Sequence, residues 1–189
     1  MRLSGIVCGL LVSAQFALGS EAALEGKWAT GCLKADKSTQ SEVMTMNGNN
    51  LDVIVQGFSD QGCATRFMTA NLTGTFKMGP DSQMVKDAKE SELIYSTLTL
   101  TFHSSEIVGY LITLNVCGYS DWQVDQPKNV LGQTCDKTVM PKAGDTRYNL
   151  ITLPMNNRLF LGKETKEFDG STPDKRPREL DMDRPFNKQ

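Results

Sequence analysis

Between Glu92 and Phe102 the chain alternates in steps of two. On an extended strand Leu93, Tyr95, Thr97, Thr99 and Thr101 point one way, and Ile94, Ser96, Leu98, Leu100 and Phe102 the other. Shorter runs of the same kind lie upstream. Gly26 to Thr30 carries Trp28, and Val43 to Met46 is followed by Asn47-Gly48-Asn49-Asn50 and then Leu51 to Val55. Asn-Gly between two apolar runs is a strong hairpin signal, because both residues tolerate the positive φ of a tight turn. Thr65 to Phe76 alternates loosely, with Phe67, Leu72 and Phe76 as inward candidates. Lys77 to Ser91 is polar and broken by Gly79-Pro80, which predicts a loop. After Phe102 the period changes. Ser104 and Ser105 are good helix caps, Glu106 suits a helix N-terminus, and Ile107, Leu111 and Leu114 recur at helical spacing. One helix is expected from about Ser105 to Val116, ending near Gly118. Tyr148 to Leu153 and Arg158 to Leu161 form a late hairpin around Asn156-Asn157. From about Lys163 the chain is polar and carries Pro173, Pro177 and Pro185, which predicts an irregular surface tail. The whole reads as mainly β: an antiparallel barrel or strongly curved sheet with one helix.

The N-terminus departs from this pattern. Met1-Arg2 is followed by an apolar run from Ile6 to Leu18 and then by small residues. That order is the signature of a secretory signal, and the run is too short to cross a bilayer core of roughly 30 Å. Cleavage is expected after Gly19 or after Ala22, so residues 1–22 are read as the signal and 23–189 as one domain. Cys8 lies near the start of the apolar run and not at its end, which argues against a lipoprotein anchor. No second stretch of span length follows, so no transmembrane anchor is expected, and the product is read as secreted or periplasmic.

Export changes the meaning of the remaining cysteines. Cys32, Cys63, Cys117 and Cys135 are an even set in an exported chain and read as two disulfides. Three pairings exist, and proximity along the chain favours Cys32–Cys63 with Cys117–Cys135. Zinc is disfavoured, since no CxxC pair occurs and His103 is the single histidine. Nothing calls for a cofactor. The 20 basic and 22 acidic residues nearly balance, so nothing suggests a nucleic-acid footprint or a polybasic membrane patch. His103 is the one residue of catalytic temperament, but its serine neighbours are better explained as caps, and a base needs a reaction partner and an orienting group. No catalytic set is therefore assigned. The acidic residues, Asp60 and Asp125 among them, are scattered through loops. Asn71-Leu72-Thr73 matches a glycosylation acceptor but falls inside a predicted strand.

Three ordered segments resemble the domain family first described in the adenomatosis polyposis coli down-regulated 1 protein. They are Leu24-Glu25-Gly26-Lys27-Trp28 with Gly31-Cys32 and, later, Cys63; His103-Ser104-Ser105-Glu106-Ile107-Val108 with Cys117-Gly118, Trp122 and Cys135; and Leu159-Phe160-Leu161-Gly162 with Arg176-Pro177 downstream. The resemblance implies an extracellular, lipocalin-like β-barrel whose interior holds a lipid or acyl chain. Animal members occur in tandem on a membrane-anchored inhibitor of Wnt signalling. This chain has one copy and short loops and is more similar to a lone bacterial secreted version, so Wnt binding does not carry over. Combined with the inward apolar positions, the resemblance implies a non-enzymatic binder of a hydrophobic small molecule or lipid. Trp28, Phe67, Phe102, Leu111 and Leu114 are the expected lining. The competing expectation is a secreted interaction module, an inhibitor or adhesin, with a filled core.

Overall fold

A computed structural model describes residues 22–35 and 38–189. The segment expected to be an export signal, residues 1–22, therefore lies outside the described residues except for Ala22. Twelve strands are present among them: β1 (Gly26–Ala29), β2 (Leu33–Ala35), β3 (Ser38–Asn47), β4 (Asn50–Phe58), β5 (Arg66–Asp81), β6 (Ala88–Phe102), β7 (Lys128–Asn129), β8 (Thr134–Cys135), β9 (Thr138–Val139), β10 (Thr146–Thr152), β11 (Arg158–Leu159) and β12 (Phe186–Lys188). One helix, α1 (Ser105–Thr113), follows β6. The main sheet is antiparallel and runs β10-β6-β5-β4-β3-β1-β12-β11. It does not close into a barrel. Its two ends approach one another through an isolated bridge between Ile151 and Leu161, with Thr152 N–H donating to the Phe160 carbonyl at 3.0 Å. The strongly curved sheet is thus the form this chain takes.

Directly paired residues share a face of a sheet. The row Trp28–Met44–Val53–Leu72–Leu98 crosses five strands, β1 to β6, on the concave side. The main core lies there: Leu24, Trp28, Met44, Met46, Leu51, Phe76, Ile151, Leu159 and Phe186. A second cluster sits at the far end of the β5–β6 hairpin. Phe102, Val108, Leu111, Trp122 and Val130 pack there around the Cys117–Cys135 bridge. The other bridge joins Cys32 to Cys63, so the pairing favoured from chain proximity is the one formed.

Four expectations need correction. The first concerns β6, whose alternation is interrupted. Pairing steps from Gly74–Tyr95 to Thr73–Thr97, which leaves Ser96 as an extra residue in a bulge. Leu93 consequently shares the concave face with Leu98, Leu100 and Phe102, while Thr97, Thr99 and Thr101 take the other. Gly74 permits this, because a Cβ there would run into the Ile94 backbone carbonyl. Second, Lys77 to Ser91 is not a loop. Strand β5 continues to Asp81, and Gly79-Pro80 is accommodated at a register irregularity between Met78 and Asp81, where a missing ladder N–H is tolerated.

Third, α1 is shorter than its periodicity suggests. Ser104 caps it, accepting from Ile107 N–H, but the backbone leaves the helix at Leu114, and Asn115 adopts a left-handed conformation at φ 49°. Fourth, the C-terminal region is not merely a surface tail. Phe186 is buried in the main core, and β12 lies between β1 and β11. Burying side chains of the size of Phe186 and Leu159 contributes about 1.5–3 kcal/mol each. Upstream of β12, Arg176 donates to the carbonyls of Ser91 (2.7 Å) and Asn149 (2.6 Å) and pairs with Glu90 at 3.1 Å. One guanidinium thus staples the chain to both β6 and β10.

Candidate functional site

The five side chains expected to line a cavity do not converge. Trp28 is fully buried in the main core, its Nε1 donating to the Leu24 carbonyl at 2.7 Å. Phe102 and Leu111 belong to the second cluster, where Phe102 meets Trp122 edge to face at 5.2 Å. Phe67 is half-buried against Gly57, and Leu114 is 54% exposed. Chain from distant positions fills the space that sequence periodicity left open. Phe186 and Leu159 complete the main core, and Trp122 and Val130 complete the second.

A broad concavity lies at the rim of the sheet. The β5–β6 connection forms one wall, and the β10–β11 hairpin and the Leu180–Met182 segment form the rest. The groove holds about 1,110 Å3 and is lined by Leu153, Pro154, Met155, Phe160, Leu180 and Met182, with Asp81, Lys86, Asp87, Lys89, Arg158, Thr152 and Asn156 around them. Its volume slightly exceeds the range of about 300–1,000 Å3 typical of small-molecule pockets, as expected of an open groove. Met155 and Met182 are 76% and 62% exposed. Flexible thioether side chains at an open surface adapt to varied apolar partners.

Local chemistry fixes the walls. Asn156 and Asn157 have φ of 53° and 59° and turn the hairpin, while Met155 and Arg158 exchange backbone hydrogen bonds of 2.9 and 3.0 Å. The hairpin therefore holds Leu153 and Met155 out of the sheet. On the other wall, Ser82 Oγ accepts from the N–H groups of Met84 and Val85, and Ser82 N–H donates to Ala88. Lys89 Nζ sits 2.6 Å from Asp81 Oδ1. The sequence marked Asn156-Asn157 as a turn but gave no sign of the groove. Its apolar residues come from separate segments, each too short to show a period.

His103 has company that the sequence did not reveal. Its Nε2 lies 2.9 Å from Thr69 Oγ1 and its Nδ1 2.5 Å from Asp125 Oδ1. Hydroxyl, imidazole and carboxylate follow in the order of a nucleophilic relay. Two features argue against that chemistry. Thr69 sits in β5 between paired β4 and β6, opposite Gln56 and Thr101, so the nearby backbone N–H groups are committed to the ladders and do not form an oxyanion hole. The Asp125 side chain is also 68% exposed. The triplet acts as a buckle: Asp125 N–H donates to the Phe102 carbonyl, and His103 ties the loop carrying Trp122 to β5. Asn71 of the glycosylation sequon is half-buried within β5 between Ile54 and Thr99.

No helix among the described residues is long and apolar enough to cross a membrane. Comparison with known proteins finds no matching family model and no significantly similar curated protein.

Proposed function

We propose that the protein is a non-enzymatic binding protein of an oxidising, extracytoplasmic compartment, and that it takes a lipid or other hydrophobic ligand. Two disulfides support the compartment, since such bridges persist where thiols are not kept reduced. The observation that carries the binding reading is the open apolar groove at the sheet rim. It differs from the barrel-interior site that the family resemblance implies. The core is filled by Trp28, Phe76 and Phe186, so the ligand is assigned to the rim. Native mass spectrometry of protein purified without detergent tests this, together with displacement of an environment-sensitive apolar dye. Dye binding that Met155→Glu weakens at least about tenfold is expected. Dye binding indifferent to Met155→Glu and Met182→Glu would remove the groove from consideration.

A second reading, a secreted interaction module, is favoured by one specific feature. The outward side of α1 presents Tyr110 (65% exposed) and its C-cap Leu114. A protein partner recognised there predicts that Tyr110→Ala abolishes partner binding and leaves dye binding in the groove unchanged.

A further inference from the structure

The charged groups around the groove are not balanced. Five line it: Asp81, Lys86, Asp87, Lys89 and Arg158. Lys89 and Asp81 neutralise one another at 2.6 Å. Lys86 and Arg158 form no ion pair among the described residues, and Asp87 is the one other carboxylate of the lining. The two cations come from different walls. Lys86 stands on the β5–β6 connection, and Arg158 stands at the foot of the Asn156-Asn157 turn, paired with Met155 in the hairpin bridge. Leu153, Met155, Phe160, Leu180 and Met182 provide the apolar lining.

We infer that the groove selects single-chain amphiphiles with an anionic head group. This rests on the reading of the groove as a hydrophobic-ligand site and specifies the ligand's polar end. An acyl or alkyl chain would cover the exposed methionines and Leu153. Its carboxylate, sulfate or phosphate would meet Lys86 and Arg158, and the planar guanidinium offers two parallel donors to such a group. A neutral head gains nothing from either cation. A cationic head meets a net positive rim, and Asp87 alone does not offset it. Both cations are exposed, so each contributes modestly and in a salt-dependent way.

The test is isothermal titration of the full mature chain with laurate, lauryl alcohol and lauryltrimethylammonium, each below its micellar concentration. Laurate is expected to bind about five- to tenfold more tightly than the alcohol, and the trimethylammonium compound most weakly. Lys86→Glu with Arg158→Glu should reverse the order of the two charged probes and leave the alcohol unchanged. Both positions are exposed, so the double variant keeps the fold. Equal binding of all three probes would overturn the head-group inference and leave the hydrophobic groove standing. Binding of none would overturn both. Laurate binding unaffected by Met155→Glu would place the chain elsewhere and overturn both as well.

Discussion

Asp60 shows how much one half-buried carboxylate can organise. It accepts from the backbone N–H groups of Gly62 (2.7 Å), Ala64 (3.1 Å) and Thr65 in the turn that carries Cys63. Those three donors lower its pKa from 3.8 to about 2. The folded form therefore favours the carboxylate. Its contribution is present above about pH 4 and is lost as pH falls through about 2. Amide exchange at Gly62, Ala64 and Thr65 should accelerate across that window, beyond the intrinsic pH trend, while β4 amides stay protected. Exchange at these three sites that ignores Asp60 protonation would contradict the capping role. His103 lends itself to a different measurement. His103→Ala removes the side-chain contacts to Thr69 of β5 and to Asp125 and is expected to lower stability by about 1–2 kcal/mol in urea denaturation. Thr69→Val should cost less, because Asp125 keeps its partner. The sequence put His103 at the strand-to-helix junction, but Thr69 and Asp125 are 34 and 22 residues away from it, and no local pattern couples them.

Among the elements, β12 departs furthest from its sequence. Phe186-Asn187-Lys188 has no period to read, being three residues that follow a charged stretch and a proline. It becomes a strand because β1 and β11 offer it two edges and the core offers Phe186 a site. Phe186→Ala is expected to cost about 3–5 kcal/mol by calorimetry or denaturant melting, the range for emptying an aromatic site in a core. Deleting Phe186 to Gln189 should separate β1 from β11 and broaden or abolish cooperative unfolding. Arg176 gives the next prediction. Its guanidinium reaches two carbonyls on adjacent strands and Glu90 at once. Arg176→Lys keeps the charge and loses the fork, so it should destabilise nearly as much as Arg176→Met, by about 2 kcal/mol or more. A lysine variant as stable as the parent would show that charge alone holds this segment. By contrast, the β3–β4 hairpin and the start of α1 were legible in the sequence. Asn47-Gly48 and Ser104 act through their own backbone and near neighbours, whatever the rest of the chain does.

For the molecule as a whole, the two disulfides divide the labour. Cys32–Cys63 spans 31 residues and holds β2 against the β4–β5 turn, while Cys117–Cys135 spans 18 and sits inside the second cluster with Trp122. Each contributes about 3–4 kcal/mol by restricting the unfolded chain. Replacing Cys117 and Cys135 by serine should loosen the second cluster first. The near-ultraviolet signal of Trp122 would fade at lower denaturant than the β-sheet signal, with Trp28→Phe as background. Simultaneous loss of both signals would show that the two clusters unfold as one.

At that same scale the sequence determined the class of the protein and its covalent frame. Extended alternation, a two-residue turn, a helix cap and an even set of cysteines act over a few residues or through unique chemistry, so a linear pattern records them. Only the tertiary structure decided whether the interior was hollow, because that depends on which distant side chains fill it. Phe186, Trp122 and Leu159 fill it here, and the bulge at Ser96 keeps one face of β6 on the core along its length. The open apolar space lies instead at the rim, where three segments meet. No stretch of sequence carries that feature, since it belongs to the distances between segments and to no one of them.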